Sequence, residues 1–176
     1  IIVTSGTEFA DALSGSYLAA AKKAPILLTY SQAHESVLAY IRQNLSDGGT
    51  VYILGGESAV DADFESMLTG QDIRFKRLAG SDRFSTNLVI LEEAGTRPDQ
   101  EILICTGVGF ADSLSASATG LPILLVHGSL TDAQKTFLAT TSKEFIIIGG
   151  DAAVSAALEA ELAAIGEVER VAGENR

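Results

Sequence analysis

Cysteine and basic residues are scarce in this chain of 176 residues. The single cysteine, Cys105, excludes an intrachain disulfide and a zinc site built from cysteines. With 12 Lys and Arg against 23 Asp and Glu, the formal net charge is −11, which disfavours binding to nucleic acid or to an anionic membrane. No apolar run approaches the roughly 20 residues that a membrane-spanning helix needs. We therefore expect no nucleic-acid partner and no membrane partner.

What the chain does contain is a repeated phrase. "GTEFADALS", which begins at Gly6, is matched by "GVGFADSLS", which begins at Gly107. Three further pairs follow in the same order: "PILLT" and "PILLV", "YILGGESAV" and "IIIGGDAAV", and "RLAGSDRF" and "RVAGENR". Landmarks that recur in one order, at a spacing of about a hundred residues, indicate a duplicated module.

Short apolar runs alternate with longer segments of helical spacing within each copy. Runs such as "IIVTS" and "PILLTY" are typical of strands buried on both faces of a parallel sheet. Between them lie helical segments such as "DALSGSYLAAAKK"; a later one, "SDRFSTNLVILEEAG", has Ser81 or Asp82 as its cap and ends at Gly95. This alternation requires right-handed βαβ crossovers. The sequence predicts an α/β fold of tandem small Rossmann-like, doubly wound modules, with mainly parallel sheets flanked by helices.

We expect a first module over residues 1–76, a second over residues 77–170 and the start of a further module over residues 171–176. The division depends on the motif "R-(L/V)-A-G-x-x-R", which begins at Arg77 and again at Arg170 and is taken to open a module. The first module then lacks a leading helix. Alternatively, the helix near residues 81–95 closes the first module, and the sequence leaves both arrangements open.

Asp11 and Asp112 occupy equivalent places, where a helix begins after a strand and a glycine-containing turn. One interpretation is a cap on the free N–H groups of the first helical turn. The other is a carboxylate that binds a ligand or a metal at the carboxyl end of a parallel strand, where open α/β folds place ligands. Residue type and position agree with both interpretations.

Glycine pairs follow a strand in both copies, within "ILGG" (Ile53 to Gly56) and "IIGG" (Ile147 to Gly150). Such pairs permit positive φ angles and a close approach of the backbone to another group. The helix beyond each pair offers free N–H groups to an anion. A tight turn packed against neighbouring elements explains the same residues equally well, so both interpretations stay open.

Arginine recurs as well, with Arg77 and Arg83 matched by Arg170 and Arg176. A guanidinium at a module junction can pair bidentately with a carboxylate, such as one of the two repeated aspartates, or with a phosphate or carboxylate of a ligand. Both a structural ion pair and a ligand contact are consistent with the pattern.

Signatures of catalysis and metal binding are missing. The chain has no G-x-S-x-G elbow, no H-E-x-x-H pair, no EF-hand loop and no P-loop ending. Neither His34 nor His127 is mirrored in the other copy, so both are interpreted as surface residues. Cys105 ends an apolar run and is expected to be an inert core thiol. We predict a protein that is not an enzyme and uses no cofactor.

The ordered motifs "GxxFADALS", "PILLT", "VYILGGxxAV" and "RLAGxDRFxT" resemble the cell wall binding repeat 2 family, and the resemblance covers nearly the whole chain, twice. Modules of this family occur in tandem in surface-layer and cell-wall proteins of Gram-positive bacteria. The resemblance implies α/β units that pack about a pseudo-threefold axis, usually in sets of three. It further implies a secreted protein at the cell wall or cell surface of a Gram-positive bacterium, anchored noncovalently through an anionic secondary wall polymer.

Residue by residue, the resemblance assigns anchoring to the "ILGG" stretch and, more loosely, to its counterpart, where an isoleucine replaces leucine. Together with the repeated aspartates and one arginine, these residues form the predicted ligand site: Ile53, Leu54, Gly55, Gly56, Ile148, Gly149, Gly150, Asp11, Asp112 and Arg83. No residue is predicted to be catalytic or to bind a metal.

We therefore expect a noncatalytic anchoring pair that binds an anionic secondary wall polymer or a peptidoglycan-associated glycan. Like modules, in the same protein or in a homo-oligomer such as a trimer, are the second expected partner. Two alternatives stay open: a structural module of a surface array without a glycan site, and an enzyme that binds a small phosphorylated molecule through Asp112 and its glycine loop. The charge of −11 opposes long-range attraction to an anionic polymer, so binding would depend on local donors.

Overall fold

The computed structural model of the protein describes residues 1–173 and contains two four-stranded parallel sheets, one from each copy. The first copy comprises β1 (Ile2–Ser5), α1 (Phe9–Lys22), β2 (Ile26–Thr29), a 3-10 turn (Ser31–Ala33), α2 (His34–Asn44), β3 (Val51–Leu54), α3 (Ala62–Gly70) and β4 (Phe75–Leu78). Helix α4 (Arg83–Ala94) follows and leads to the second copy, which comprises β5 (Ile102–Thr106), α5 (Ala111–Ser117), β6 (Ile123–Val126), α6 (Asp132–Thr141), β7 (Glu144–Ile148), α7 (Ala156–Ala163) and β8 (Glu167–Val171). The predicted α/β fold with parallel sheets is confirmed, whereas the predicted Arg176 lies outside the described residues.

Both sheets share one topology. The strand order is β2-β1-β3-β4 in the first sheet and β6-β5-β7-β8 in the second, and all neighbouring strands are parallel. After β1 the chain adds β2 on one side of that strand and then adds β3 and β4 on its other side. The direction in which strands are added therefore reverses between β1 and β3. Open α/β sheets bind ligands at such a reversal, outside the carboxyl ends of the strands. In this protein the reversal occurs twice, once in each sheet.

Local sequence explains where the helices begin and end. Asp82 is the N-cap of α4 and accepts hydrogen bonds from the backbone N–H groups of Phe84 and Ser85, in a capping box with Ser85. Gly95 follows the last turn at a φ of 76°, an angle that favours glycine. The predicted limits of this helix are confirmed. Among residues 1–173, no helix is both long and apolar enough to cross a bilayer.

Helix α4 lies at the junction of the two copies. Ile90 packs in the apolar core on one face of the first sheet, whereas Leu88 and Leu91 pack in a core of the second. The Tyr17 hydroxyl of α1 shares its single proton between two acceptors, the Gly95 carbonyl (3.0 Å) and Oε1 of Gln100 (2.7 Å). The predicted boundary between residues 76 and 77 falls within β4, which belongs to the first sheet, and α4 contacts both copies. The boundary therefore stays a prediction.

Asn87 of α4 is fully buried in this junction. Its amide Nδ2 donates to the Ser14 hydroxyl (3.1 Å) and to the Ile123 carbonyl (2.9 Å), while Oδ1 accepts from the Leu125 N–H (2.9 Å). The carboxamide thus pairs with the outer edge of β6 as another strand would. Because buried backbone groups are costly when unpaired, this side chain allows the edge of the second sheet to lie inside the protein.

The corresponding surfaces outside the junction are open. Leu125 on β6 is 1 % exposed, but its counterpart on β2, Leu28, is 56 % exposed. Leu13 on α1 is 9 % exposed, but its counterpart on α5, Leu114, is 53 % exposed. The difference follows from α4, which covers α1 and β6 and leaves α5 and β2 without an equivalent helix.

Candidate functional site

A cleft of about 340 Å³ opens at the strand-order reversal of the first sheet. Its walls come from the loop after β1 with the start of α1, the glycine loop after β3, and the segment that leads into α4. The lining residues include three carboxylates, one guanidinium, two serines and two glycines: Glu8, Asp11, Asp82, Arg83, Ser58, Ser81, Gly56 and Gly80. The topology of the sheet therefore brings three of the predicted site residues, Asp11, Gly56 and Arg83, to one cleft.

Asp11 and Gly55 are in direct contact at the base of this site. Gly55 has a φ of 93°, and a Cβ placed on it would collide with the Asp11 carboxylate. Two independent features therefore require glycine here: the left-handed backbone and the space that the carboxylate occupies. At Gly56 there is open space where a side chain would lie. The first glycine of the pair thus accommodates Asp11, and the second leaves the cleft open.

The Asp11 carboxylate accepts no hydrogen bond from residues 1–173. The N-cap of α1 is Glu8, and the helix has no side-chain cap bond. Partial burial raises the pKa of Asp11 above its ordinary value, while the Arg83 guanidinium lowers it and Glu8 raises it further. The interpretation of Asp11 as a hydrogen-bonding cap is wrong for this structure. Its carboxylate complements the helix dipole and is otherwise available to a group from outside.

The second copy repeats the contact between carboxylate and glycine. Gly149 has a φ of 116°, and a Cβ placed on it would lie 2.7 Å from Oδ2 of Asp112. Gly150, like Gly56, has open space where a side chain would lie.

Cys105, at the end of β5, is fully buried, and desolvation together with the charge of Asp112 raises its pKa to about 12. The prediction of an inert core thiol is confirmed.

Arg77 supports the glycine loop from behind. Its guanidinium donates to the carbonyls of Gly55 (2.8 Å) and Val60 (2.9 Å) and pairs with Glu65 (2.6 Å). In the second copy Arg170 binds the carbonyls of Gly149 and Val154 and pairs with Glu159 in the same way. These arginines form structural ion pairs, as one interpretation held, but the expected aspartate partners are wrong. Glu65 and Glu159 hold equivalent positions in the repeat, which is a signal that sequence reasoning missed.

Arg83 joins the cleft to the second copy. One terminal nitrogen donates to the Gly107 carbonyl (2.8 Å), and the guanidinium lies over the ring of Phe9, 5.4 Å from its centroid. The ring of Phe9 in turn contacts that of Phe110 at 5.8 Å. Arg83 makes no direct ion pair with Asp11, although its charge lowers the pKa of that carboxyl. The arginine is therefore held at the junction and also lines the cleft.

The apolar members of the predicted site lie in the interior. Ile53 and Leu54 are both fully buried and pack in the cores on opposite faces of the first sheet. Ile148 is half-buried against the core beside Cys105. In the "ILGG" stretch, the strand residues secure the position of the loop, and of these four residues only Gly56 lines the cleft.

The histidines differ from each other. His34 is buried, and its ring packs at a tilt of 51° against that of Phe64, with the ring centroids 5.0 Å apart. Its Nδ1 lies 3.6 Å from Asp61. The interpretation of His34 as a surface residue is therefore wrong, because the helix that it begins turns its ring inward. His127 is exposed, as predicted, and stacks on Phe84. Within residues 1–173, no group of three or more His, Cys, Asp or Glu side chains is arranged to hold a metal ion.

Two parallel sheets of the same topology, with a cleft at the strand-order reversal of the first, define an α/β protein of duplicated βαβ units. The sequence profile of cell wall binding domain 2 (CWB2) matches residues 1–65 and 77–159. The chain belongs to this family and is a cell-wall binding module.

Individual relatives agree with this assignment. Cwp8 from Clostridium difficile is 33 % identical and has a TM-score of 0.89, with 99 % of this chain and 31 % of that chain covered. Cwp6 from the same organism, at 24 % identity and a TM-score of 0.85, covers 99 % of this chain and 29 % of its own, and shows the fold. N-acetylmuramoyl-L-alanine amidase LytC of Bacillus subtilis (strain 168) is 27 % identical over 99 % of this chain and 35 % of the amidase. The chain thus spans about a third of the length of these relatives.

Proposed function

We propose that this chain is a noncatalytic anchor that holds a protein at the surface of a Gram-positive cell by binding an anionic secondary wall polymer or a peptidoglycan-associated glycan. The observation that carries the proposal is the cleft at the strand-order reversal of the first sheet. At its base Asp11 lies against Gly55, a contact that Asp112 and Gly149 repeat in the second copy. Family membership supplies the wall as the target, and the cleft supplies a place for the ligand.

The side chains around the cleft and around the second glycine loop favour binding over chemistry. The thiol of Cys105 is buried and has a pKa of about 12, so it is protonated at neutral pH and is a poor nucleophile. The arginines that contact the glycine loops donate their hydrogen bonds to backbone carbonyls and to Glu65 or Glu159. A rigid loop that offers a preformed surface is what noncovalent recognition requires.

Cosedimentation with purified Gram-positive cell walls, before and after removal of their anionic secondary polymer, tests the proposal. We expect the chain to sediment with intact walls and to stay in solution with stripped walls. Equal binding to both preparations would identify peptidoglycan or nonspecific adhesion instead. Absence of binding to intact walls would overturn the proposal.

The cleft itself is tested by filling it. Gly56→Gln places a side chain in open space without a positive φ, so the fold is expected to persist while the cleft closes and wall binding falls. Gly70→Gln is the matched control, because Gly70 also has open space around it but lies at the far end of α3. Equal binding by both variants would show that the cleft is not the wall-binding site.

A second candidate function is assembly with like modules, and one observation favours it. Val108, Phe110 and Leu114 form an exposed apolar face on and before α5, between 53 % and 61 % exposed. In the first copy, by contrast, Phe9 lies under the Arg83 guanidinium and Leu13 is 9 % exposed. A face of this kind on a soluble protein marks an interaction surface.

Light scattering over a range of protein concentrations tests the assembly function. Self-association through this face predicts a mass that rises with concentration in wild type and stays monomeric in Leu114→Asp. A monomer at all concentrations, with wall binding intact, would leave anchoring as the function.

A further inference from the structure

Charge in the cleft has the wrong sign for binding an anion. Three carboxylates line it, Glu8, Asp11 and Asp82, against the single guanidinium of Arg83. Asp82 is engaged in capping α4, and one terminal nitrogen of Arg83 is engaged by Gly107. A phosphate or carboxylate that entered the cleft would meet more negative than positive charge within a chain whose net charge is −11.

What the cleft offers instead is a hydrogen-bond acceptor without a donor. Asp11 is half-buried and has no donor among the described residues, although an ionised carboxylate accepts several hydrogen bonds. Its position is fixed by contact with Gly55, and Asp112 is fixed against Gly149 in the same manner.

We propose that the cleft binds the uncharged, hydroxyl-bearing face of a sugar ring, with Asp11 as the acceptor for the sugar hydroxyls, and that it excludes the charged groups of the wall polymer. The inference rests on the proposed function and names the part of the polymer that is recognised. Neighbouring hydroxyls of a sugar donate to the two carboxylate oxygens, and a charged acceptor makes these hydrogen bonds about twice as strong as neutral ones. The Ser58 and Ser81 residues that line the same cleft add hydroxyl groups that both donate and accept.

This assignment explains how an acidic module binds an anionic polymer. The sugar rings enter the cleft, while the anionic groups stay in solvent, where salt screens their repulsion from the protein. We therefore expect added salt to strengthen binding to the polymer. An anion-binding site would show the opposite dependence, because salt weakens attraction between opposite charges.

The experiment compares two probes by calorimetry: a neutral oligosaccharide, prepared from the purified wall polymer by fragmenting it and removing its anionic groups, and glycerol phosphate. We expect the neutral oligosaccharide to bind and glycerol phosphate not to bind. Asp11→Asn is expected to weaken oligosaccharide binding about tenfold, since it removes a charged acceptor. In a phosphate site the same substitution would remove repulsion and strengthen binding, so the sign of the effect decides between the two chemistries.

Asp99→Asn is the matched control, because it removes the same charge from a side chain that is 85 % exposed in the loop before β5. Gly56→Gln, which fills the cleft, is the second variant and is expected to abolish oligosaccharide binding. Binding of glycerol phosphate in place of the oligosaccharide, or an Asp11→Asn effect equal to that of Asp99→Asn, would overturn this inference while wall binding still supported an anchor. Loss of wall binding by the wild-type chain would overturn the proposed function itself.

Discussion

Asn87 completes the outer edge of β6: its Oδ1 accepts a hydrogen bond from the Leu125 N–H (2.9 Å), and its Nδ2 donates one to the Ile123 carbonyl (2.9 Å). A side chain on a helix thus replaces a missing strand. The third bond, to the Ser14 hydroxyl, connects this edge to α1 of the first copy. One residue therefore links the backbone of one sheet to a helix that covers the other.

Asn87→Leu is expected to lower the free energy of unfolding by about 3 kcal/mol, because it leaves two buried backbone groups and one hydroxyl without partners. Urea denaturation followed by circular dichroism measures the change. Asn44→Leu, at the exposed end of α2, is the control and is expected to change stability by about 0.5 kcal/mol or less. Similar values for the two variants would show that the edge of β6 is satisfied by other groups.

Gly55→Ala is expected to destabilise the protein by about 2–4 kcal/mol, through the positive φ and the collision with Asp11. Gly56→Ala, without either problem, is expected to be nearly neutral. In a double-mutant cycle, Asp11→Ala is expected to recover about 1 kcal/mol of the Gly55→Ala loss, since it removes the collision and leaves the backbone strain. Strict additivity of the two changes would contradict the contact between Asp11 and Gly55.

Arg77→Lys is expected to lower the free energy of unfolding by about 2 kcal/mol, because an ammonium group cannot reproduce the forked contacts with Glu65 and two carbonyls. Thermal unfolding measures the loss, and Arg170→Lys is expected to have a similar effect. Arg74→Lys, on the exposed side chain next to β4, is the control. A loss at Arg77 no larger than at Arg74 would show that the fork does not secure the loop.

Stability is expected to depend on the protonation of Asp11. Burial raises its pKa in the folded protein above the ordinary value of 3.8, so between these two pKa values the folded chain binds more protons than the unfolded chain. The contribution of Asp11 to stability is therefore present below the ordinary pKa and is lost as the pH rises through the folded pKa. Asp11→Asn removes the ionisation, so the variant is expected to gain stability relative to wild type as the pH rises.

Chemical denaturation of wild type and Asp11→Asn at several pH values, from about 3 to about 7, measures this difference in stability on both sides of the ordinary pKa. Asp99→Asn is again the control, and no such trend is expected for it. A stability difference that stayed constant, or that favoured wild type more strongly at higher pH, would show that Asp11 is stabilised as a carboxylate in the folded state. In combination with weaker sugar binding, a more stable Asn variant would show that Asp11 is retained for binding.

Much of the fold could be predicted from the sequence, because strands and helix ends are marked by residues that are close together along the chain. Apolar runs such as Ile2–Ser5 and Ile123–Val126 predicted buried parallel strands, and Asp82 and Gly95 marked the ends of α4. The internal repeat added the relation between copies, and with it the equivalence of Asp11 and Asp112.

The site was only partly accessible. Sequence reasoning named Asp11, Gly56 and Arg83 without showing that they share a cleft, and it included Ile53 and Leu54, which are buried. Successive side chains of a strand point to opposite faces of the sheet. When a run is apolar on both faces, its sequence does not show which residues are buried in the core and which reach the cleft. His34 was misjudged for a related reason, since the direction of its ring depends on Phe64 and Asp61 from a distant helix.

By itself, the sequence determined the parallel strands, the duplication and the family, because periodicity, caps and repeated motifs are properties of neighbouring residues along the chain. The tertiary structure decided which carboxylates have donors and which do not. Arg77 lies 12 residues from Glu65 and contacts it, whereas Arg83 is held by Gly107 and makes no ion pair with Asp11. Such pairings depend on how the sheets, the loops and α4 pack in space. Because of them, the cleft presents a hydrogen-bond acceptor, whereas the sequence had led us to expect hydrogen-bond donors.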